Sequence, residues 1–467
     1  MLRLLSEEEV LTNIRKLSPL IGREKARRLE IAFLLSDEKR RKRLIELVDT
    51  IRARAFSDVQ LKEGILMEVP PKEVATQGDL LLGKVMYGKK ELYPVYINME
   101  DLLTHIGIFG STGSGKTNII FWLIYQISNK GVPVLIFDPS KRNYRDLLQV
   151  DELKDRIEIF TVGRSVSEFR FNPLKPPPNI TVTQWAKEFA EIFDHAYGMK
   201  GGGRYLILKA LDELYSLKAP DHPRLKDIKV WLENYLASKP LAPRERNWAA
   251  TAKRPLETLC FKDIAYVWDC DEGILPSSFF EPGKITILEL DALAFSDKAF
   301  FTEIVLQWIR DWLLANKERE RLNGVIVMEE SHHVLNREKS RVLGMETVMD
   351  VVFREVRELG VGIIYADQHP SLVSYPALGN TNTHIYLNLG LDTKHNSDVE
   401  DAAKMLGLRS EEEVDYIRRL QTGVGFVLIR KSVYPSPFLV KFPLSVSYTH
   451  LRAHETEADL VCRLLLE

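Results

Sequence analysis

Three cysteines in 467 residues, Cys260, Cys270 and Cys462, are an odd number without zinc-type spacing. That excludes a disulfide framework and fits a reducing, cytoplasmic setting, the location expected for the chain. Long apolar runs are also missing. The longest are strand-sized, far short of the ~20 residues that a membrane helix needs. The opening residues Met1-Leu2-Arg3-Leu4-Leu5-Ser6-Glu7 have no extended apolar core, so neither a signal peptide nor an integral membrane segment is expected. There is no excess of one charge: 64 Lys and Arg against 66 Asp and Glu leave a net −2. Composition therefore does not announce nucleic-acid binding, and a DNA-handling surface would have to be local, such as a channel lining. No internal repeat recurs at solenoid periods.

What is present is a complete phosphate-binding loop, Gly110-Ser111-Thr112-Gly113-Ser114-Gly115-Lys116-Thr117. The apolar run His105–Phe109 before it reads as a buried strand, and Asn118–Tyr125 after it reads as a helix. Strand, loop and helix in that order separate a nucleotide site from a chance match. The glycines let the backbone wrap closely around an anion. Backbone N–H groups of the loop and the helix start would hold phosphates. Lys116 would reach the β- and γ-phosphates of ATP, and the Thr117 hydroxyl would bind Mg²⁺.

Around this loop the chain divides into three stretches. Residues 1–78 read as a charged helical region and connector; the basic cluster Lys39–Arg43 reads as a solvated helix face. Residues 79–446 read as the nucleotide domain. A hairpin over 80–97 leads into the loop strand, and further strands fall at 133–137, 157–162, 284–290, 325–328, 362–366 and, as the last, 384–389. Helices are expected over about 297–320 and 345–359, with a helical insertion over about 181–262. Strands alternating with helices predict an α/β fold with a mainly parallel central sheet covered on both faces. Residues 447–467, Ser447-Tyr448-Thr449-His450 onward, resemble translated sequencing-adapter read-through and are set aside as a non-native tail.

Nucleotide hydrolysis also needs a carboxylate near the metal and a group to polarise water. The strand Val325–Met328 runs into Glu329-Glu330-Ser331-His332. Parallel α/β sheets place their chemistry at such carboxyl ends. Successive strand positions point to opposite sides, so the two acids can serve different tasks. Glu329 is assigned to the Mg²⁺ shell, through water, and Glu330 to the attacking water. The pair His332-His333 lacks the partners of a metal site. The next strand ends in Asp367-Gln368-His369, and Gln368 there can orient water beside a γ-phosphate.

Taken in order, these motifs resemble the HerA/FtsK branch of ring-forming DNA-pumping ATPases, with the HerA-type domain the nearest pattern. The matching stretches are His105–Thr117, Phe137-Asp138-Pro139, Met328–His332, Arg354–Gly362, Asp367–Ser371, Asn380–Ile385 and Leu420–Phe426. The resemblance covers about 79–440. It implies a RecA-like fold, ATP and Mg²⁺, a homo-hexamer threading duplex DNA, and a partner nuclease or effector. It also implies an arginine supplied by the neighbouring subunit, with Arg357 ranked ahead of Arg354 and Arg142. Three departures stand out: Glu329 where the family usually has Asp, Lys141-Arg142-Asn143-Tyr144 where Gly-Glu-Tyr is common, and a helical start in place of a β-barrel. The function expected is an ATP-dependent DNA translocase or helicase. The alternatives are a conjugation- or secretion-type ATPase moving protein or nucleoprotein, and an ATP-dependent assembly switch for an effector.

Overall fold

Short apolar runs bounded by turn residues become the strands of one sheet in the computed structural model, which describes residues 7–57, 64–199, 201–238, 240–316, 321–344, 346–390 and 397–443. The strands are β1 (Leu80–Tyr87), β2 (Lys90–Ile97), β3 (Ile106–Phe109), β4 (Val134–Asp138), β5 (Ile157–Thr161), β6 (Ile285–Glu289), β7 (Gly324–Glu329), β8 (Val361–Asp367), β9 (Thr383–Tyr386), β10 (Val424–Ile429) and β11 (Phe438–Lys441). Their spatial order is β2-β1-β11-β10-β9-β3-β8-β7-β4-β6-β5. From β9 to β5 all neighbours run parallel; the β2-β1-β11-β10 end is antiparallel and joins β9.

The parallel strands are buried along nearly their whole length except at the edge strand β5, and alternate residues feed two cores. Leu135 and Phe137 of β4 join Ile326, Met328, Ile363 and Tyr365 on one face. Val134 and Ile136 join Val325, Val327, Ile364 and Ala366 on the other. This is the period-two alternation of a strand, with both faces apolar because helices cover both. The helix Lys116–Asn129 that follows the phosphate loop covers the second face. The first face is covered by Phe295–Asn316 and by helices Val182–Tyr197, Gly202–Lys218, Leu225–Ser238 and Pro243–Leu259. A further short helix, Lys262–Trp268, ends the insertion.

One strand expectation is corrected. The sequence reading ended the sheet at 384–389, but β10 and β11 follow, and β9 itself stops at Tyr386. Leu387 and Asn388 leave the ladder to brace the phosphate loop: the Leu387 N–H bonds the Phe109 carbonyl at 2.8 Å and the Ser111 N–H bonds the Asn388 carbonyl at 2.7 Å. β10 and β11 carry the chain back to β1, with Lys84 opposite Lys441. The non-native tail assigned to 447–467 lies outside the described residues.

The first helices, Glu7–Lys16, Arg23–Leu34 and Glu38–Ser57, bury Val10, Ile14, Phe33 and Val48 in a small core shared with Leu66 and Tyr87. The Tyr87 hydroxyl donates to the Lys16 carbonyl at 2.6 Å. Two ion pairs, Lys16–Glu413 and Arg52–Glu412, bind this bundle to the helix Glu411–Ile417.

Candidate active site

Four adjacent strands, β3, β8, β7 and β4, end on one cleft of about 200 Å³. The phosphate loop leaves β3 and turns with Gly113 at φ +79° and Gly115 at φ +112°, left-handed conformations that glycine takes without strain. A Cβ on Gly110 would lie 2.5 Å from Ser114 Oγ, so the loop can close only without a side chain there. The helix Lys116–Asn129 starts directly after Gly115 with no side-chain cap. Its first N–H groups therefore remain for an anion. The Lys116 ammonium turns back to the loop, donating to the carbonyls of Gly110 and Ser111. Burial pushes its pKa down to about 8, against the pull of Glu329, with Lys141 adding to the downward shift. A half-buried ammonium directed at the loop is a donor suited to phosphate.

Glu329 is the last residue of β7. Its Oε1 accepts from Tyr144 Oη at 3.0 Å and from Thr117 Oγ1 at 3.4 Å. Burial raises the pKa of its carboxyl, and the Tyr144 hydrogen bond opposes the rise. A hydroxyl and a carboxylate converging at the foot of the phosphate loop form a donor set suited to Mg²⁺. Glu330 leaves the strand in a left-handed conformation, φ +49°, unusual for a side chain this large. The turn sends its carboxylate away from Glu329. Its Oε2 lies 3.1 Å from His333 Nε2, and its Oε1 accepts from Ser140 Oγ at 3.3 Å. The His333 hydrogen bond holds this carboxyl well down, at about 2, although burial works the other way.

Gln368 follows β8, and its Oε1 accepts from Thr112 Oγ1 at 2.9 Å. Asp367, which sequence reading left without a role, lines the cleft and accepts at Oδ2 from the His332 backbone N–H at 2.8 Å. His332 Nδ1 lies 2.8 Å from the same oxygen. Thus His332 and His333 each contact an acid at the cleft, and no group of three metal-ligating side chains occurs among the described residues. Lys141 and Tyr144 were also missed as site residues. Their one sequence signal was the position just beyond an apolar strand end, at Asp138.

Arg357 is not part of its own chain's cleft. It sits exposed at the end of helix Val348–Glu358, where its charge is felt by His105, at the opposite end of β3 from the loop. Arg354 pairs with Glu346, and Arg142 with Asp291 at 2.6 Å. Among the described residues Arg357 alone of the three has no carboxylate partner.

The chain matches the profile of the family described as "Helicase HerA, central domain" over residues 80–309. It is 23% identical over 387 residues to the DNA double-strand break repair helicase HerA of Sulfolobus acidocaldarius, covering 79% of this chain and 70% of that protein. Residues 80–309 are a HerA-type P-loop ATPase domain. A second HerA helicase, from Sulfurisphaera tokodaii, is 22% identical over 378 residues, with the same coverage, 79% and 70%. Among solved structures, VirB4 of Thermoanaerobacter pseudethanolicus shares the fold of this HerA-type chain with a TM-score of 0.58 at 15% identity, covering 80% of this chain and 98% of that one. The bacterial conjugative coupling protein TrwB superposes with a TM-score of 0.57 at 12% identity, covering 79% and 90%. The same protein in complex with ADP and Mg²⁺ gives 0.56 at 14% identity, covering 75% and 88%. The fold is therefore that of the RecA-like P-loop ATPases, and the HerA-type cleft is built for nucleotide hydrolysis.

Proposed function

We propose that this HerA-type ATPase is a DNA translocase or helicase that works as a homo-hexameric ring on duplex DNA. The convergence of Lys116, Glu329, Glu330 and Gln368 on one cleft is the observation that carries the hydrolytic part. The HerA relatives support DNA as the track, and that track implies a cytoplasmic place of work. A nuclease or another effector acting on the moved DNA is the partner this reading expects. Residues 79–446 would form the motor, with 1–78 as an accessory helical region.

In this reading Lys116 and the loop N–H groups bind the β- and γ-phosphates of ATP. Mg²⁺ held by Thr117 and, through water, by Glu329 would neutralise charge developing on those phosphates. Glu330 polarises the attacking water, and Gln368 orients it. The arginine comes in trans. Arg357 is the candidate, because it lies away from its own cleft and is free of a carboxylate.

Steady-state ATPase activity of residues 1–446 tests the track. Duplex DNA is expected to stimulate turnover strongly, with stimulation fading as salt rises, because phosphate contacts release counterions. Turnover indifferent to DNA would instead favour a secretion- or conjugation-type motor, the alternative that the VirB4 and TrwB folds keep in view. For the trans arginine, Arg357→Ala and Lys116→Ala are each expected to be inactive alone. An equal mixture is expected to regain measurable turnover, since some interfaces then pair an intact Lys116 with an intact Arg357. A mixture no more active than its separate components counts against the assignment.

A further inference from the structure

The loop after β4 carries three cations within five residues, Lys141, Arg142 and Arg145, and the fold treats them differently. Arg142 is taken up by Asp291, which also binds Arg164. Arg145 forms a two-pronged pair with Glu289, at 2.5 and 2.7 Å. Lys141 is turned the other way. It lines the same cleft as Lys116, Thr117 and Glu330, and it has no ion-pair partner among the described residues.

The backbone that aims it is fixed. Oδ1 of the buried Asp138 accepts from the N–H of Ser140 at 3.2 Å and from the N–H of Lys141 at 3.1 Å. Such a side-chain-to-backbone turn sets the direction of the following residue. Ser140, one residue earlier, donates to the Glu330 carboxylate. A single turn thus presents an unpaired ammonium to the cleft and grips the acid assigned to the water.

We propose that Lys141 is a second catalytic lysine, one that contacts the γ-phosphate of ATP from within the same subunit. The inference rests on the ATPase reading of the cleft and adds a residue to it. In the reaction, water oxygen bonds to the γ-phosphorus while the bond from that phosphorus to the β–γ bridging oxygen breaks. The bond's electrons stay on ADP, and a proton of the water leaves by way of Glu330. Charge spreads over the γ-oxygens and the leaving oxygen during this transfer. An ammonium on the γ-oxygens stabilises that charge more than it stabilises bound ADP, which has no γ-phosphate. Because Lys141 and Ser140 share one turn, phosphate contact at one is transmitted to the hydrogen bond that Glu330 accepts from the other.

The test compares Lys141→Gln and Lys141→Arg with the unmodified full chain. It uses kcat for ATP together with direct binding of fluorescent ADP and of a fluorescent non-hydrolysable ATP analogue. Lys141→Gln is expected to lower kcat on the order of 10- to 100-fold, less than a fully enclosed donor because this one is solvent-accessible. It should also weaken the ATP analogue while leaving ADP affinity within about twofold, as expected for a contact confined to the γ-phosphate. Lys141→Arg should recover much of both losses. Equal weakening of ADP and analogue, or an unchanged preference for the analogue over ADP, would overturn the proposal. If the unmodified chain hydrolysed no ATP, the ATPase reading would fail on that result alone, and the two binding ratios would still decide the contact of Lys141.

Discussion

Glu330→Gln is expected to bind ATP about as well as the unmodified chain and to hydrolyse it roughly 10²–10⁴-fold more slowly, the loss typical when a positioned general base is removed. The change keeps the length of the side chain and its left-handed backbone, and the amide oxygen can still accept from Ser140. What disappears is the negative charge. The His333 hydrogen bond holds the Glu330 carboxyl ionised far below neutral pH, at about 2. The ionised carboxylate can orient and polarise the water and take up its proton as the bond to phosphorus forms, which an amide cannot do. Single-turnover hydrolysis beside equilibrium nucleotide binding separates the two effects. Hydrolysis at the unmodified rate would remove Glu330 from the reaction and turn attention to Glu329 or Asp367.

Lys116→Ala is expected to act at the step before. The ammonium would make at least two charge-assisted hydrogen bonds to phosphate. At about 1.5–3 kcal/mol each, their loss corresponds to roughly 10²–10⁴ in nucleotide affinity. Stability should behave differently. Lys116 is a half-buried cation whose ammonium donates to two backbone carbonyls, and burial pulls its pKa down to about 8. Burying that charge costs free energy, so removing it should leave the melting temperature nearly unchanged or slightly higher. A variant that melts normally and binds no nucleotide fits this account. One that binds ATP normally shows that the loop is not where phosphate is held.

The parallel part of the fold was open to sequence reading because its central strands, β3, β4, β7 and β8, are apolar runs followed by a helix or a chemically distinctive end. Val134–Asp138 and Val361–Asp367 are fully buried, and that enclosure is what the runs encode. The antiparallel end was harder. β11 is a short inner strand of four residues, Phe438–Lys441, and one of its two partners lies some 350 positions earlier, Lys84–Met86. No local pattern records such a pairing. The same limit applied within the cleft. The phosphate loop and the tandem acids are local motifs and could be read directly. Tyr144 reaches Glu329 only because the loop after β4 folds back across β7, and Asp367 meets His332 only because β8 lies beside β7. The left-handed turn at Glu330 was equally hidden, since nothing in Met328-Glu329-Glu330-Ser331 marks it.

β3 is flanked by β9 on one side and β8 on the other, strands made more than 250 residues after it. The loop that follows β3 is then braced by the Asn388 carbonyl, and the Ser114 carbonyl accepts from the N–H of Gly423. A nascent chain that has left the ribosome only through the insertion helices therefore holds the whole phosphate-loop motif and β4, but lacks β8 and β9 that flank the loop strand and the Asn388 and Gly423 contacts that brace the loop. Competence to take up nucleotide arrives late in synthesis, once Gly423 has emerged. A fragment truncated before that point would be inert, so unfinished subunits would not compete with complete ones for nucleotide.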